Sequence, residues 1–468
     1  MISNSDKKEP CAGKKDGPII FEQIHSSGTE QYAVSWLDHI ECKIEIRDSL
    51  GHYKPVPKDQ ILWPNFGSPL ECDPKEVYRD IRELLTVYVY LPFPFLYDIT
   101  TAFIMASYFP EAFDFATYLI LLGPIKSGKT RLLQVLELLC YRGFKTDSIS
   151  PAAISRLIEN YRLTLLMDET DKIAAEYKSD TIGILNAGQK KPSRYVRAER
   201  EGSGIEIRDV WGFKVLAGTE KFVRSMSSRG ITYPMRKCSR RMPKLNRETE
   251  KSAINLRSKL LYLRLKWCVK EDFNDEFLKD DRLSEVFEPL FRVSPSDEAT
   301  EAIKNYALKV EGLETEEDQS SVEARALKAI FDAINNGKTE SGKIRTSDLT
   351  DFFNEDLSER DRISADSIGR IFSRLGFELT KVGAKSQRGF RLNNELIKEL
   401  AERYLGEDSY TLDKVSEESE ETVSIKPDDS LNNSLEVSVN SETDTSDTSD
   451  TIIDVKRDSD SQDQNVET

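Results

Sequence analysis

A chain of 468 residues is long enough for two or three domains, each with its own core. With 38% hydrophobic and 32% charged residues the composition is that of a soluble globular protein and excludes an integral membrane protein. The net charge of -16 looks hostile to a polyanion, but 19 acidic against 4 basic residues fall between Glu407 and Thr468. The body before that tail is therefore nearly neutral and can carry basic patches.

Residues 1–18 are polar and lysine-containing, without the apolar core of a secretory signal, and are expected to be disordered. Residues 19–65 contain short alternating runs such as Tyr32–Trp36 and Cys42–Arg47, which predict a small β-rich module. His39 and Cys42 lie three apart with His25 and His52 nearby. Without a second such pair, scattered residues on a β-rich module are the simpler reading than a metal site. The six cysteines form no C-x-x-C pair, which fits a reducing, cytoplasmic compartment. Residues 66–111 read as a helical lead-in: Asp73-Pro74 opens a helix carrying Val77, Ile81, Leu84 and Leu85 at helical spacing. The apolar stretch Leu84–Ala106 is broken by Pro92 and Pro94 and interrupted by Asp98, so it predicts buried helix and loop rather than a membrane span.

Residues 112–245 alternate apolar runs with helical stretches. The runs are Tyr118–Leu122, Phe144–Thr146, Leu163–Met167, Phe213–Ala217 and Ile231–Met235. That pattern predicts a mainly parallel sheet covered by helices on both faces. Residues 246–312 read as a helical lid and 313–321 as an acidic linker. Residues 322–405 follow the order helix, short strand, helix, helix, hairpin, which suits a winged helix. Residues 406–468, rich in Ser, Thr, Asp and Glu, are expected to be a disordered acidic tail. Its short apolar island, Ile452 to Val455, has the look of a docking peptide for a replication partner, set against an inert tail.

The residues that carry chemistry begin directly after Tyr118–Leu122. Gly123, Pro124, Ile125, Lys126, Ser127, Gly128, Lys129 and Thr130 form a G-x-x-x-x-G-K-T phosphate loop, and Arg131 continues it into a helix. Glycines at 123 and 128 let backbone N–H groups curl around phosphates, Lys129 neutralises their charge, and the Thr130 hydroxyl holds Mg²⁺. The run Leu163–Met167 ends in Asp168 and Glu169, a Walker-B element in which Asp168 reaches Mg²⁺ and Glu169 activates water. Phe144–Thr146 supplies an extra strand between the phosphate-loop strand and this one, which marks an additional-strand, RecA/AAA-like ATPase. ATP and Mg²⁺ are the implied cofactors.

Thr219, at the tip of Phe213–Ala217, is the sensor candidate, set against a plain turn residue. Arg229, after a serine-rich turn and before a strand, is the first choice for an arginine finger supplied to a neighbouring subunit; Arg236 and Arg240 stay open as alternatives. Lys190, Lys191, Arg194 and Arg197, with Tyr195 among them, suit a loop that grips a nucleic-acid backbone, with solvated surface charge as the other reading. In the C-terminal unit Arg370 and Arg374 lie four apart on the presumed recognition helix, and Lys385 and Arg388 dot the hairpin; both fit DNA, though such units also dock proteins.

With these residues in place, the chain resembles P-loop ATPases of archaeal and phage mobile elements, related to the helicase part of primase–helicase proteins. The likeness runs from about 75 to 405. It is carried by Tyr88–Pro92, Gly123–Thr130, Ser148–Arg156, Met167–Asp171, Leu185–Lys190, Lys214–Gly218, Ser228–Ile231, Arg388–Phe390 and Arg403–Leu405. The resemblance implies an ATP–Mg²⁺ site at Lys129, Thr130, Asp168 and Glu169, a finger at Arg229, and a hexameric engine acting on DNA. The chain departs from primase–helicases in one respect: residues 19–65 contain no primase-like carboxylate set or zinc motif. The expected protein is thus a ring-forming DNA helicase or translocase, with a non-motor ATP switch or loader as its rival.

Overall fold

The computed structural model describes residues 8–36, 39–47, 52–173, 175–198, 204–220, 224–319 and 321–405. Seven short strands come first: β1 (Lys8–Pro10), β2 (Gly13–Asp16), β3 (Ile19–Ser26), β4 (Thr29–Trp36), β5 (His39–Lys43), β6 (Ile46–Arg47) and β7 (His52–Lys54). Strands β2 to β5 make an antiparallel meander, and β1, β7 and β6 make a second small sheet. Phe21, Tyr32, Val34, Ile46 and Tyr53 form their shared core. The expectation of disorder over 1–18 is corrected from Lys8 onward, because β1 pairs with β7 and β2 with β3. These polar strands sit at sheet edges, where backbone hydrogen bonds rather than apolar burial hold them.

Helix α1 (Pro74–Tyr88) starts where Asp73 accepts a hydrogen bond from the Lys75 amide, and it buries Val77, Ile81 and Leu85. Helix α2 (Phe95–Ser107) is buried from Leu96 to Ser107, as a helix apolar on all sides must be. Among the described residues no helix is long and apolar enough to cross a membrane.

The central elements follow in the order β8 (Tyr118–Leu122), α3 (Lys129–Leu139), β9 (Gly143–Thr146), α4 (Pro151–Tyr161), β10 (Thr164–Met167), α5 (Ala175–Ala187), β11 (Tyr195–Ala198), β12 (Ile205–Arg208), β13 (Lys214–Gly218), α6 (Arg224–Ser227) and β14 (Gly230–Pro234). Five of the strands form one parallel sheet in the order β14-β8-β13-β10-β9. Leu165, Met167 and Leu216 face α4 and α5, while Leu166, Val215, Ala217, Leu119 and Leu121 face the larger core on the other side. That two-residue alternation is why the strands are apolar throughout. A correction concerns the extra strand. The element that comes next in sequence, β9, lies at the sheet edge, and β13 is the strand between β8 and β10. Sequence order does not fix spatial order in a doubly wound sheet.

Helices α7 (Arg247–Leu265), α8 (Asp281–Arg292) and α9 (Asp297–Gln319) cover the larger core. Helix α9 runs through most of the expected linker 313–321, so that segment is helix rather than an irregular connection. The C-terminal unit contains α10 (Val322–Asn335), β15 (Thr339–Glu340), β16 (Lys343–Arg345), α11 (Thr346–Asn354), α12 (Ala365–Arg374), β17 (Leu379–Val382), β18 (Gln387–Arg391) and α13 (Asn394–Leu405). Its four strands form an antiparallel sheet, and Phe372 packs against Phe377 and Phe390 beneath it. The acidic tail 406–468, with Ile452 to Val455, lies outside the described residues.

A buried ion network ties the N-terminal strands to the parallel-sheet region. Glu22 on β3 is fully buried and accepts from Arg264 of α7 at 2.9 Å, Arg142 at 3.0 Å and the Tyr141 hydroxyl at 2.7 Å. Arg264 also forks onto Glu111 at 2.9 and 3.0 Å. Burial works to raise the Glu111 pKa, but Arg264 outweighs it and holds the carboxyl at about 2. The stability Glu111 contributes is therefore present above the ordinary glutamate range and lost as pH falls toward about 2. Glu22→Ala leaves the buried Arg142 guanidinium without a carboxylate and Arg264 with Glu111 alone, and urea unfolding is expected to show a loss of about 3–5 kcal/mol. A loss below about 1 kcal/mol would show that the network does not hold the two parts together.

Candidate functional site

The loop Gly123–Thr130 is shaped by contacts on both sides of β8. At its start the Gly123 amide donates to the Gly218 carbonyl at 3.3 Å, and the Met235 amide donates to Leu122 at 2.6 Å. A Cβ at Gly123 would lie 2.3 Å from the Met235 carbonyl, so only glycine fits there. Gly128 closes the loop at φ 93° and caps α3, whose N-terminus then points into the curl. Lys126, also at positive φ, sits on the outside of the turn with Ile125 exposed beside it. Pro124 lends its carbonyl to Lys129, whose ammonium donates to Gly123 at 2.6 Å and Pro124 at 3.1 Å. Arg131 reaches outward to the Pro243 carbonyl at 2.6 Å.

The carboxylates meet this loop directly. All four residues of β10 are buried and deliver Asp168, itself nearly buried, beside Thr130. The Thr130 hydroxyl donates to Asp168 Oδ2 at 2.7 Å, and the Glu169 amide donates to the other carboxylate oxygen at 3.0 Å. Glu169 adopts a left-handed backbone at φ 51°, a costly conformation for a side chain with a Cβ, and turns its carboxylate toward solvent. There it accepts from Lys172 at 2.6 Å, and that bond raises the Lys172 pKa.

Thr219 lies at the end of β13, but its immediate partner is a carboxylate. Its amide donates to Asp171 at 3.2 Å and its hydroxyl donates to the same oxygen. Burial opposes, but these bonds and the positive charge of Lys129 together lower the Asp171 pKa. Thr170 ties the same turn to β13 through the Ala217 carbonyl at 2.9 Å. Asp171 escaped a role in the sequence reading because its partner lies 48 positions away; the signal was a third acidic group just past the strand.

Arg229 stands apart from these groups. Gly230 pairs with Tyr118, while the phosphate loop begins beyond Leu122, so Arg229 lies at the other end of the sheet. At ~3.3 Å per residue the separation along the strand is about 16 Å, beyond the reach of its own side chain. Burial lowers the Arg229 pKa, and the nearby charge of Arg282 lowers it further. Of the alternative arginines, Arg236 lies over the Phe93 ring and Arg240 is exposed.

The basic candidates divide. Strands β11 and β12 form a two-stranded antiparallel pair, with residues 199–203 between them outside the described chain. Arg194 is exposed before it, and Arg197 is half-buried opposite Glu206. The outward face of the pair is apolar, with Val196, Ile205 and Ile207 exposed. Lys191 points inward: its ammonium donates to Pro110 at 2.7 Å and Phe113 at 2.6 Å and lies over the Trp211 ring. In this structure its ammonium is engaged by backbone carbonyls rather than turned to solvent. Lys190 lies over Phe115 and 3.8 Å from Glu285. In the C-terminal unit Arg370 and Lys385 are exposed, while Arg374 pairs with Glu323 at 2.9 Å and Arg388 with Asp366 at 3.1 Å.

The residues present suit a nucleotide with its metal. The Ser127 hydroxyl is buried within the loop and has no hydrogen-bond partner among the described residues. A hydroxyl and a carboxylate in contact are hard oxygen donors of the kind Mg²⁺ takes.

No protein-family model matches the chain, and neither does any curated protein. Among solved structures, the apo form of the NrS-1 C-terminal region is similar at 13% identity and a TM-score of 0.38, covering 80% of this chain and 97% of that one. A structure described as the active helicase Cch of SCCmec type IV is similar at 13% identity and a TM-score of 0.36, covering 79% and 78%.

Lys129→Ala removes the one ammonium seated inside the loop and is expected to reduce ATP turnover to background in a phosphate-release assay. Turnover within about twofold of the parent would remove this loop from the chemistry.

Proposed function

We propose that this protein is an ATP-hydrolysing motor that acts on DNA, a ring-forming helicase or translocase of six copies serving replication of a virus, plasmid or integrated element. The observation that carries the ATPase part is the 2.7 Å contact of Thr130 with Asp168 beside Lys129. The loop amides and the α3 N-terminus cradle the phosphates, Lys129 exchanges its loop carbonyls for phosphate oxygens, and Thr130 with Asp168 holds Mg²⁺. The metal, when bound, draws negative charge from the transferring phosphoryl group. Glu169 exchanges Lys172 for the attacking water, and Asp171 sets the orientation of Thr219 at the γ-phosphate side. Arg229, too far from its own loop, serves the loop of a neighbouring copy.

On this reading the C-terminal unit is a winged helix, with α12 entering the major groove and the β17–β18 hairpin lying on phosphates. Arg194, Arg197, Arg370 and Lys385 contact the backbone directly, while Arg374 and Arg388 exchange carboxylate partners for phosphates. The acidic tail limits nonspecific DNA binding or recruits a replication partner. The inward placement of Lys191 and the carboxylate pairing of Arg374 and Arg388 favour a second reading, a non-motor ATP switch or loader with few DNA contacts.

Glu169→Gln is expected to bind ATP normally and to lower kcat by about 100-fold or more. Unchanged turnover would remove Glu169 from water activation. The motor and the switch separate on forked DNA: ATP-dependent strand displacement supports the motor, and nucleotide-dependent assembly without displacement supports the switch. Mixing inactive Arg229→Ala subunits with inactive Lys129→Ala subunits is expected to restore turnover at interfaces joining an intact loop to an intact arginine. Mixtures that stay inactive at every ratio would contradict a finger supplied in trans.

A further inference from the structure

Arg229 occupies the last position before β14, and its backbone is gripped from two directions. Its amide donates to the Met226 carbonyl at 3.1 Å, which closes the turn after α6. The Gln189 side-chain amide donates to the Arg229 carbonyl at 3.1 Å. The Arg282 guanidinium, from the first turn of α8, donates to the preceding carbonyl, that of Ser228, at 3.0 Å. Two consecutive carbonyls around one arginine are thus held by side chains from two separate elements.

Gln189 is not needed to anchor its own segment. Its carbonyl already accepts from the Ala116 amide at 2.8 Å, and the neighbouring Gly188 carbonyl accepts from the Gly212 amide at 3.1 Å and the Lys214 ammonium at 3.3 Å. Gly188 is packed so closely that a Cβ would lie 2.3 Å from the Val210 carbonyl. The backbone at 188–189 is therefore fixed by other bonds, while the nearly buried Gln189 side chain reaches to Arg229. The segment leads, six residues later, into β11.

We propose that Gln189 and Arg282 are positioning residues that hold Arg229 at the height and angle a neighbouring nucleotide site requires. The proposal rests on the reading of Arg229 as an arginine supplied in trans. It adds that the finger is set by a clamp rooted in the segment between α5 and β11 and in α8.

The test uses the full chain and ATP. Gln189→Ala is expected to lower kcat about tenfold with KM for ATP changed less than about twofold, because the arginine acts on charge that develops in the transition state. Combined with Arg229→Ala, it is expected to cause no further loss, since the group it positions is gone. Arg282→Ala, at an exposed position, is expected to show the same pattern, with melting curves recorded for each variant. Mixing Gln189→Ala with Lys129→Ala subunits is expected to restore turnover, because the intact loop of one copy meets the intact finger of the other. A lesion confined to the fold of its own subunit would not be rescued. A loss that adds to that of Arg229→Ala, or no change in kcat in either single variant, would overturn the clamp. Normal turnover in Arg229→Ala alone would refute the trans-acting arginine itself, and the clamp with it.

Discussion

The hydrogen bond from Thr130 to Asp168 is the contact on which the rest of the site depends, because it joins two segments separated by a whole strand of the sheet. It forms only because β13 lies between β8 and β10, which sets the two strand ends far enough apart for a loop and a carboxylate to face each other across a gap. Every parallel strand delivers its C-terminal end to this same edge, so the loop, the carboxylates and Thr219 converge there without long connections. The same geometry places Arg229, at the start of its strand, on the far edge. One sheet therefore sets the loop and its carboxylates at one edge and Arg229 at the opposite edge.

The sheet is held in place by an apolar core on each face and by the Glu22, Arg142, Arg264 and Glu111 network on one side. Buried charges of this kind contribute modestly when intact and cost heavily when one member is lost. Their effect is to fix a register: β3, the turn after α3 and the C-terminal end of α7 take up one relative position. The N-terminal strands are thus part of the support for the parallel-sheet region rather than an attached bead.

Much of this was legible along the chain, and the parts that were not share a cause. Gly123 to Thr130, Asp168 and Glu169 announce themselves because phosphate and metal chemistry demand fixed residue types at fixed local spacing. The strand runs did so because burial on both faces leaves only apolar residues. What local pattern misses is partnership at a distance. Lys191, expected on a loop that grips a nucleic-acid backbone, has its ammonium among Pro110, Phe113 and Trp211, which lie far from it in sequence or across a turn. Asp171 gained meaning only from Thr219. The polar β1 and β2 and the acidic end of α9 looked unstructured because their stability comes from backbone pairing and helix continuity rather than hydrophobic content. The spatial place of β13 follows from topology, which no single segment encodes.

On the proposed reading this loop and these carboxylates turn over nucleotide rather than merely bind it. Steady-state phosphate release from ATP by the full chain, measured with Mg²⁺ and again after chelation, tests it most directly. Continuous turnover with the metal and none without it is the expected result. Stoichiometric ATP binding with no phosphate release under the same conditions would contradict it.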